Sequence, residues 1–86
     1  MARAHLLYFA WLREHIGRGE ETLDLPAEAG TIGGLITYLA ARGEGYAAAF
    51  AQRDLVRAAV NQTMAEPSTP IAAGDEVAFF PPITGG

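Results

Sequence analysis

TIGGLITYLA, residues 31–40, is the stretch that decides the fold of this chain. Its apolar side chains recur at the i, i+3, i+4, i+7 and i+8 spacing of an amphipathic helix: Ile32, Leu35, Ile36, Leu39 and Ala40. Thr31 is a residue type that favours the N-cap, and Gly43 is expected just past the other end. A helix with one apolar face must cover an apolar layer, so the flanking segments have to supply one.

Two strands are predicted before this helix. Residues 4–9 alternate with apolar side chains on both faces, and residues 20–25 alternate with one solvated face before Pro26. A short helix over residues 10–16, ended by Gly17, is expected to link them. The two strands should therefore pair much as a hairpin does.

Three shorter strands are predicted after the helix. Residues 43–54 are rich in glycine and alanine and are interpreted as a variable connection. Residues 55–61 alternate as a strand, and Asn61-Gln62 is a plausible tight turn into a short strand around Met64. Residues 76–80 form the last predicted strand, which the two following prolines must end because neither can donate to a ladder.

This order of elements predicts an α+β fold, namely a β-grasp with a mixed sheet covered on one face by a helix. We expect one domain over residues 1–80, followed by a flexible C-terminal tail over residues 81–86. At 86 residues, half of them apolar, the chain is sized for a single core.

Composition excludes several classes of function. A net charge of −4 disfavours nucleic acid as a partner, and no apolar run approaches the roughly 20 residues that span a membrane. A cytoplasmic protein is therefore expected. The chain has no cysteine, and its six cationic residues are all Arg, so it offers neither a thiol nor a lysine amine as a nucleophile. If it is joined to another protein, it must be the donor.

Ordinary catalytic and metal sites find little support in this sequence. His5 and His15 fall on different predicted elements without a second ligand at a usable spacing, so no metal is expected. Asp75 and Glu76 are adjacent acids at a turn, where solvated carboxylates are common.

The C-terminal Gly85-Gly86 is the feature that suggests chemistry. Two residues without side chains can thread a channel too narrow for any Cβ. The terminal carboxylate is ionised at neutral pH and is a poor electrophile until a partner installs a leaving group. The alternative is that this dipeptide is only a frayed chain end or a cloning remnant.

The run GDEVAFFPPITGG, residues 74–86, closely resembles the C-terminus of the small-subunit family of molybdopterin synthase, a family of ubiquitin-like sulfur carriers. The resemblance extends to Leu7-Tyr8-Phe9-Ala10, followed by Leu12-Arg13-Glu14, and to residues 59–63. It covers essentially the whole chain. It departs at residues 43–54, where no family motif is found.

The resemblance implies a β-grasp whose C-terminal residue, here Gly86, carries sulfur. An ATP-dependent activating enzyme would adenylate Gly86, and a sulfur donor system would convert it to a thiocarboxylate. Thr84 and Gly85 would thread into the large subunit, where sulfur passes to cyclic pyranopterin monophosphate in a heterotetramer. The chain would be no enzyme on its own, would bind no cofactor, and would meet ATP only at the activating enzyme.

The resemblance also implies a docking surface for the large subunit, at Phe9, Met64, Phe80, Pro81 and Pro82. Ordinary core packing is the alternative for the two phenylalanines and the methionine. Docking is favoured because Tyr8 and Phe79, their alternating neighbours, can fill the core instead. Relatives often have Leu where this chain has Met64, and a flexible thioether can fill the same pocket.

Two other functions stay open. A carrier of sulfur for thiamine or another product would share the fold and the terminal glycines, but such carriers generally lack Phe-Phe-Pro-Pro before the tail. A ubiquitin-like modifier or plain interaction domain would use its apolar face without sulfur chemistry.

Overall fold

The structure is a computed structural model that describes residues 2–82. Its strands are β1 (Ala2–Tyr8), β2 (Glu20–Leu25), β3 (Arg57–Val60), β4 (Thr63–Ala65) and β5 (Glu76–Phe80). Its α-helices are α1 (Ala10–Ile16), α2 (Ile32–Ala40) and α3 (Glu44–Ala49), and short 3-10 turns cover Ala27–Ala29 and Arg53–Leu55.

The five strands form one mixed sheet in the order β2-β1-β5-β3-β4. β1 and β5 run parallel, while the other neighbouring pairs are antiparallel. The C-terminal strand therefore lies at the centre of the sheet. The predicted pairing of the first two strands is confirmed.

One face of the sheet is covered by α2. Its buried side chains Ile32, Leu35 and Leu39 join one core cluster with Leu6 of β1 and Val77 of β5. This arrangement confirms the expected α+β β-grasp, in which one amphipathic helix covers a mixed sheet.

Two of the three predicted helix caps are present in the structure, and the third is not. The Thr31 hydroxyl oxygen accepts a hydrogen bond from the Gly34 amide at 3.1 Å, which confirms the predicted N-cap of α2. Gly17 ends α1 in the left-handed conformation with φ of 89°. The expectation that Gly43 caps the end of α2 is wrong, because α2 ends at Ala40 and Gly43 is the N-cap residue of α3.

Several predicted boundaries shift. The first strand covers Ala2–Tyr8 rather than 4–9, because Phe9 is already the N-cap of α1. The third strand covers Arg57–Val60 rather than 55–61. Residues 43–54, interpreted as a variable connection, contain α3, and Phe50 just after it is buried in the core. The turn at Asn61-Gln62 is confirmed, with positive φ at both residues.

Gly34 packs so tightly that a Cβ there would collide with the Glu28 carbonyl oxygen. We expect Gly34→Ala to lower the free energy of unfolding by about 1–3 kcal/mol, although alanine alone gains about 1 kcal/mol in a helix. Gly33→Ala in the same helix is the matched control, since its Cβ would lie 3.2 Å from the Pro67 carbonyl oxygen. Urea unfolding measures both, and a Gly34→Ala chain at least as stable as Gly33→Ala would contradict the packing.

Candidate docking surface

The face of the sheet opposite α2 carries a row of apolar side chains. Leu7 pairs with Ala78, Ala78 with Ala59, and Ala59 with Met64, so the row crosses four strands. Residues that pair directly across strands point to the same face. Met64 is 63% exposed, although it is a large apolar side chain. We call this side of the sheet the open face.

Phe9 and Phe80 lie next to this row, two residues further along their segments, at the end of the sheet where β1 and β5 finish. Phe9 is 48% exposed and Phe80 is half-buried, whereas Tyr8 and Phe79 are completely buried. The Tyr8 and Phe79 rings stack in the core with centroids 6.2 Å apart. The alternation inferred from the sequence is thus present in the structure. We call the following set the apolar surface: Leu7, Phe9, Ala59, Met64, Ala78 and Phe80.

A strained corner follows Phe9 at the start of α1. Ala10, the next residue, has φ of 54°, in the left-handed region that alanine rarely adopts. Such a conformation costs about 1–2 kcal/mol, so the surrounding packing must hold it. The Phe9 amide contributes by donating a hydrogen bond to the Phe79 carbonyl oxygen at 3.1 Å. No pattern in the sequence signals this corner.

The predicted tail begins at the end of β5, between β1 and β3. Pro81 and Pro82 are half-buried and follow the strand without regular structure. The tail therefore starts from the central strand of the sheet. The predicted threading residues Thr84 and Gly85, and the predicted sulfur-bearing Gly86, lie outside the described residues.

The open face is polar toward the β2 edge. The Arg3 Nε atom lies 3.0 Å from a carboxylate oxygen of Asp24. His5 bridges two neighbours, with Nδ1 3.0 Å from the Thr22 hydroxyl and Nε2 2.9 Å from a Glu20 carboxylate oxygen. The face thus divides into a polar half with paired charges and an apolar half next to the tail.

Glu21 forms a buried network that sequence reasoning missed. Its side chain is only 5% exposed. One carboxylate oxygen accepts hydrogen bonds from the Tyr8 hydroxyl at 2.8 Å and the Tyr46 hydroxyl at 2.6 Å. The other accepts from Arg18 at 3.2 Å and Arg42 at 3.3 Å. One carboxylate therefore ties α3 and two loops to the first two strands.

The ionisation of Glu21 depends on these donors. Burial alone would raise the pKa of Glu21, but the hydrogen bonds from Tyr46, Tyr8 and Arg42 outweigh it and leave that pKa below its ordinary value. Burial and the adjacent carboxylate raise the pKa of both Tyr8 and Tyr46, so both hydroxyls stay protonated donors. Because its donors lie far apart in sequence, only the alternation that places Glu21 with Leu23 and Leu25 could have signalled the cluster.

The start of β5 is fixed by polar side chains at a turn. Asn61 Nδ2 donates to an Asp75 carboxylate oxygen at 2.9 Å, and the Glu76 amide donates to Asn61 Oδ1 at 3.0 Å. Hydrogen bonds from the Ala72 amide and from Asn61 hold the pKa of Asp75 below its ordinary value. Asp75 and Glu76 thus take part in structural contacts at the turn where they were predicted.

Two further findings concern sites and membranes. Within residues 2–82, no three His, Asp or Glu side chains cluster closely enough to hold a metal ion. Between Ala2 and Pro82, no helix is long and apolar enough to cross a bilayer.

Comparison with known families and proteins gives a consistent result. The model of the ThiS family matches residues 6–86. The chain is 41% identical to the molybdopterin synthase sulfur carrier subunit of Escherichia coli, over 94% of this chain and 96% of that protein. It is 37% identical to the subunit of the same name from Haemophilus influenzae, over 95% and 98% of the two chains.

Solved structures show the same fold. A putative molybdopterin converting factor subunit 1 from Pyrococcus furiosus superposes with a TM-score of 0.79 at 28% identity, over 96% of this chain and all of that one. Small archaeal modifier protein 1 of Haloferax volcanii gives 0.75 at 28% identity, with the same coverage. In a complex of subunits 1 and 2 of the Helicobacter pylori molybdopterin-converting factor, the similar chain gives 0.66 at 18% identity, covering 98% and 99%, which supports the fold alone.

Proposed function

This chain belongs to the ThiS family, and from that membership we propose that it is a sulfur carrier of molybdenum cofactor biosynthesis and the small subunit of a molybdopterin synthase. The observation that carries the proposal is its similarity, over nearly the full length of both chains, to two molybdopterin synthase sulfur carrier subunits. In this role the chain contributes a reactive end and a docking surface. The catalytic pocket belongs to its partner, so the chain alone is no enzyme.

The proposed chemistry takes place at the Gly86 carboxylate in two steps. A carboxylate oxygen attacks the α-phosphorus of ATP at an activating enzyme, and pyrophosphate leaves, which gives an acyl adenylate. A sulfur donor system then delivers sulfur at the sulfide oxidation level, whose lone pair forms a C–S bond to the acyl carbon, and AMP leaves with the electrons of the broken C–O bond. The product is a thiocarboxylate. ATP is bound and consumed by the activating enzyme in the cytoplasm, so the chain needs no cofactor of its own.

The thiocarboxylate then enters the large subunit and gives its sulfur to cyclic pyranopterin monophosphate. Residues 81–86 can reach at most about 20 Å when fully extended. The large subunit must therefore contact the end of the sheet from which the tail departs. Phe9, Phe80 and the two prolines lie at that end, and Met64 lies on the same open face.

The apolar surface is the proposed contact with the large subunit. Its four large apolar side chains, Leu7, Phe9, Met64 and Phe80, are outside the buried core, and such groups on a small protein commonly mark interfaces. The two sulfur carrier relatives are named as subunits of molybdopterin synthase, which supports an assembly with a second kind of subunit. We propose a heterotetramer with two copies of each subunit.

A second candidate function is conjugation to other proteins. It is favoured by the structural similarity to small archaeal modifier protein 1. In that case the activated Gly86 would form an amide with a target lysine. A carrier for thiamine or another sulfur-containing product is the third possibility and would need a different acceptor protein.

Reconstitution separates these functions. The chain is incubated with ATP, its activating enzyme and a sulfur donor, then mixed with the large subunit and cyclic pyranopterin monophosphate. We expect molybdopterin to form and to depend on every component. A thiocarboxylated chain that yields no molybdopterin with an active large subunit would contradict the proposal, and amide conjugates in a lysate would favour the modifier.

Phe80→Ser tests the apolar surface. We expect this change to weaken binding to the large subunit by about tenfold or more, because central aromatic side chains dominate interface energies. Isothermal titration calorimetry measures the affinity, and thermal unfolding measures stability. Phe79→Ala is the contrasting variant, expected to lose about 3–5 kcal/mol of stability because Phe79 is fully buried. If Phe80→Ser lowers the stability of the chain but leaves its affinity for the large subunit unchanged, Phe80 belongs to the core and not to the interface.

A further inference from the structure

Arg57 lies beside Phe80, at the edge of the apolar surface. The two residues are direct partners in the antiparallel pairing of β3 with β5. Direct cross-strand partners have Cβ atoms about 4.5–5.5 Å apart. Arg57 is exposed, and it is the cationic residue that pairs with the last residue of the central strand.

The charge of Arg57 has no carboxylate partner within residues 2–82. One terminal nitrogen donates to the backbone carbonyl oxygens of Asp54 at 2.7 Å and Val56 at 3.4 Å. The salt bridges in the described part of the chain use the cations Arg3, Arg18 and Arg42, and His5 contacts Glu20. The two carbonyls fix the side chain, while a guanidinium has five N–H donors in all.

A partner that covers Phe80 approaches its cross-strand neighbour Arg57 as well, and a contact that extends over Arg57 would remove water from the exposed guanidinium. Removing an unpaired charge from water costs several kcal/mol unless an anion takes the place of the water. We propose that Arg57 is a specificity-determining residue of the apolar surface and that the large subunit presents a carboxylate to it. This inference rests on the proposed function and adds the chemistry of the contact.

The other cations of the open face do not have this property. Arg3 already pairs with Asp24, and His5 contacts Glu20. Both contacts join β1 to the edge strand β2, away from the tail. Arg57 is also held in place before binding, so less side-chain entropy is lost on forming a new pair. A planar guanidinium suits two parallel hydrogen bonds to a carboxylate. The contact would set the orientation in which the apolar surface docks.

The test compares three variants in binding to the purified large subunit, over a range of salt concentrations. Arg57→Gln removes the charge, and Arg57→Lys keeps it without the planar fork. Arg13→Gln is the matched control, because Arg13 is exposed on α1, forms no described salt bridge and gives the same change in net charge. Thermal unfolding of each variant shows that the fold is kept.

We expect Arg57→Gln to weaken binding by about tenfold or more, mainly through faster dissociation, as removal of one partner from a desolvated pair does. Arg57→Lys should retain part of the affinity, and Arg13→Gln should stay within about twofold of wild type. If Phe80→Ser weakens binding but Arg57→Gln and Arg13→Gln bind with equal affinity, this inference is overturned while the proposed function stands. Failure of the wild-type chain to bind the large subunit would instead contradict the proposed function.

Discussion

A chain that ends at Gly85 is expected to support molybdopterin formation at no more than about one hundredth of the wild-type rate. Loss of one residue draws the reactive carboxyl back by about 3.3–3.6 Å, and a misplacement of even 1 Å can cost a hundredfold in rate. The measurement is single-turnover sulfur transfer to cyclic pyranopterin monophosphate. The domain should be unaffected, because the tail lies beyond the last strand.

An extended chain is the matched control for this deletion. One alanine added after Gly86 keeps every wild-type residue but moves the terminal carboxyl one residue beyond its reactive position, so this chain should be equally inactive. Both variants should keep a free energy of unfolding within about 0.5 kcal/mol of wild type, as surface changes usually do. A chain extended past Gly86 that still forms molybdopterin without being trimmed would contradict the proposed chemistry.

Glu21→Ala is expected to lower the free energy of unfolding by about 2–4 kcal/mol, because hydrogen bonds to a charged group contribute about 1.5–3 kcal/mol and a buried donor left without a partner costs about 1–3 kcal/mol. The change removes the acceptor of four hydrogen bonds and leaves the buried Tyr8 hydroxyl without its partner, whereas Arg18 and Arg42 are partly exposed and keep their contact with water. It also releases Tyr46 of α3 from the sheet. Urea unfolding measures the loss.

Two controls distinguish this network from ordinary surface charge. Glu20→Ala, next to Glu21 on the exposed side of β2, should cost no more than about 1 kcal/mol. Acid should also destabilise the wild-type chain by protonating the Glu21 carboxylate. Because the pKa of Glu21 is lowered on folding, its stabilisation is fully present above its unfolded pKa of about 4.3 and is lost as pH falls through the folded value. A Glu21→Ala chain with unchanged stability and an unchanged acid transition would show that the network contributes little.

The elements with clear periodicity could be predicted from the sequence. Helix α2 follows from the spacing of its apolar residues and the Thr31 cap, and β2 and β5 have the predicted bounds. In each, a local pattern and its end signal agree, because Pro26 follows one strand and Pro81 the other. Local signals are sufficient where burial follows one simple period.

Features that depend on tertiary contacts could not be predicted. Helix α3 has six residues, of which Tyr46 alone has a large apolar side chain, and it is held by Phe50 in the core and by Tyr46 bonded to Glu21. A helix this short is unstable alone, so its sequence carries little signal. The positive φ of Ala10 is likewise imposed by its surroundings, since alanine has no local preference for it.

The candidate site was predictable in part. Alternation along two strands placed Phe9 and Phe80 opposite the core residues Tyr8 and Phe79, and the structure has this arrangement. Alternation alone did not reveal that these residues share one face with Met64, which only the family resemblance had grouped with them, because the shared face depends on pairing among four strands. The position of Arg57 beside Phe80 could not be predicted from the sequence, since it depends on the pairing of β3 with β5.

The central claim, that Gly86 carries sulfur, is tested most directly by the intact mass of the chain after incubation with ATP, its activating enzyme and a sulfur donor. The account predicts a gain equal to the mass difference between one sulfur and one oxygen, located by fragmentation at Gly86 and absent without ATP. A chain whose mass stays unchanged, while the same enzyme and donor thiolate a known carrier, would contradict the account.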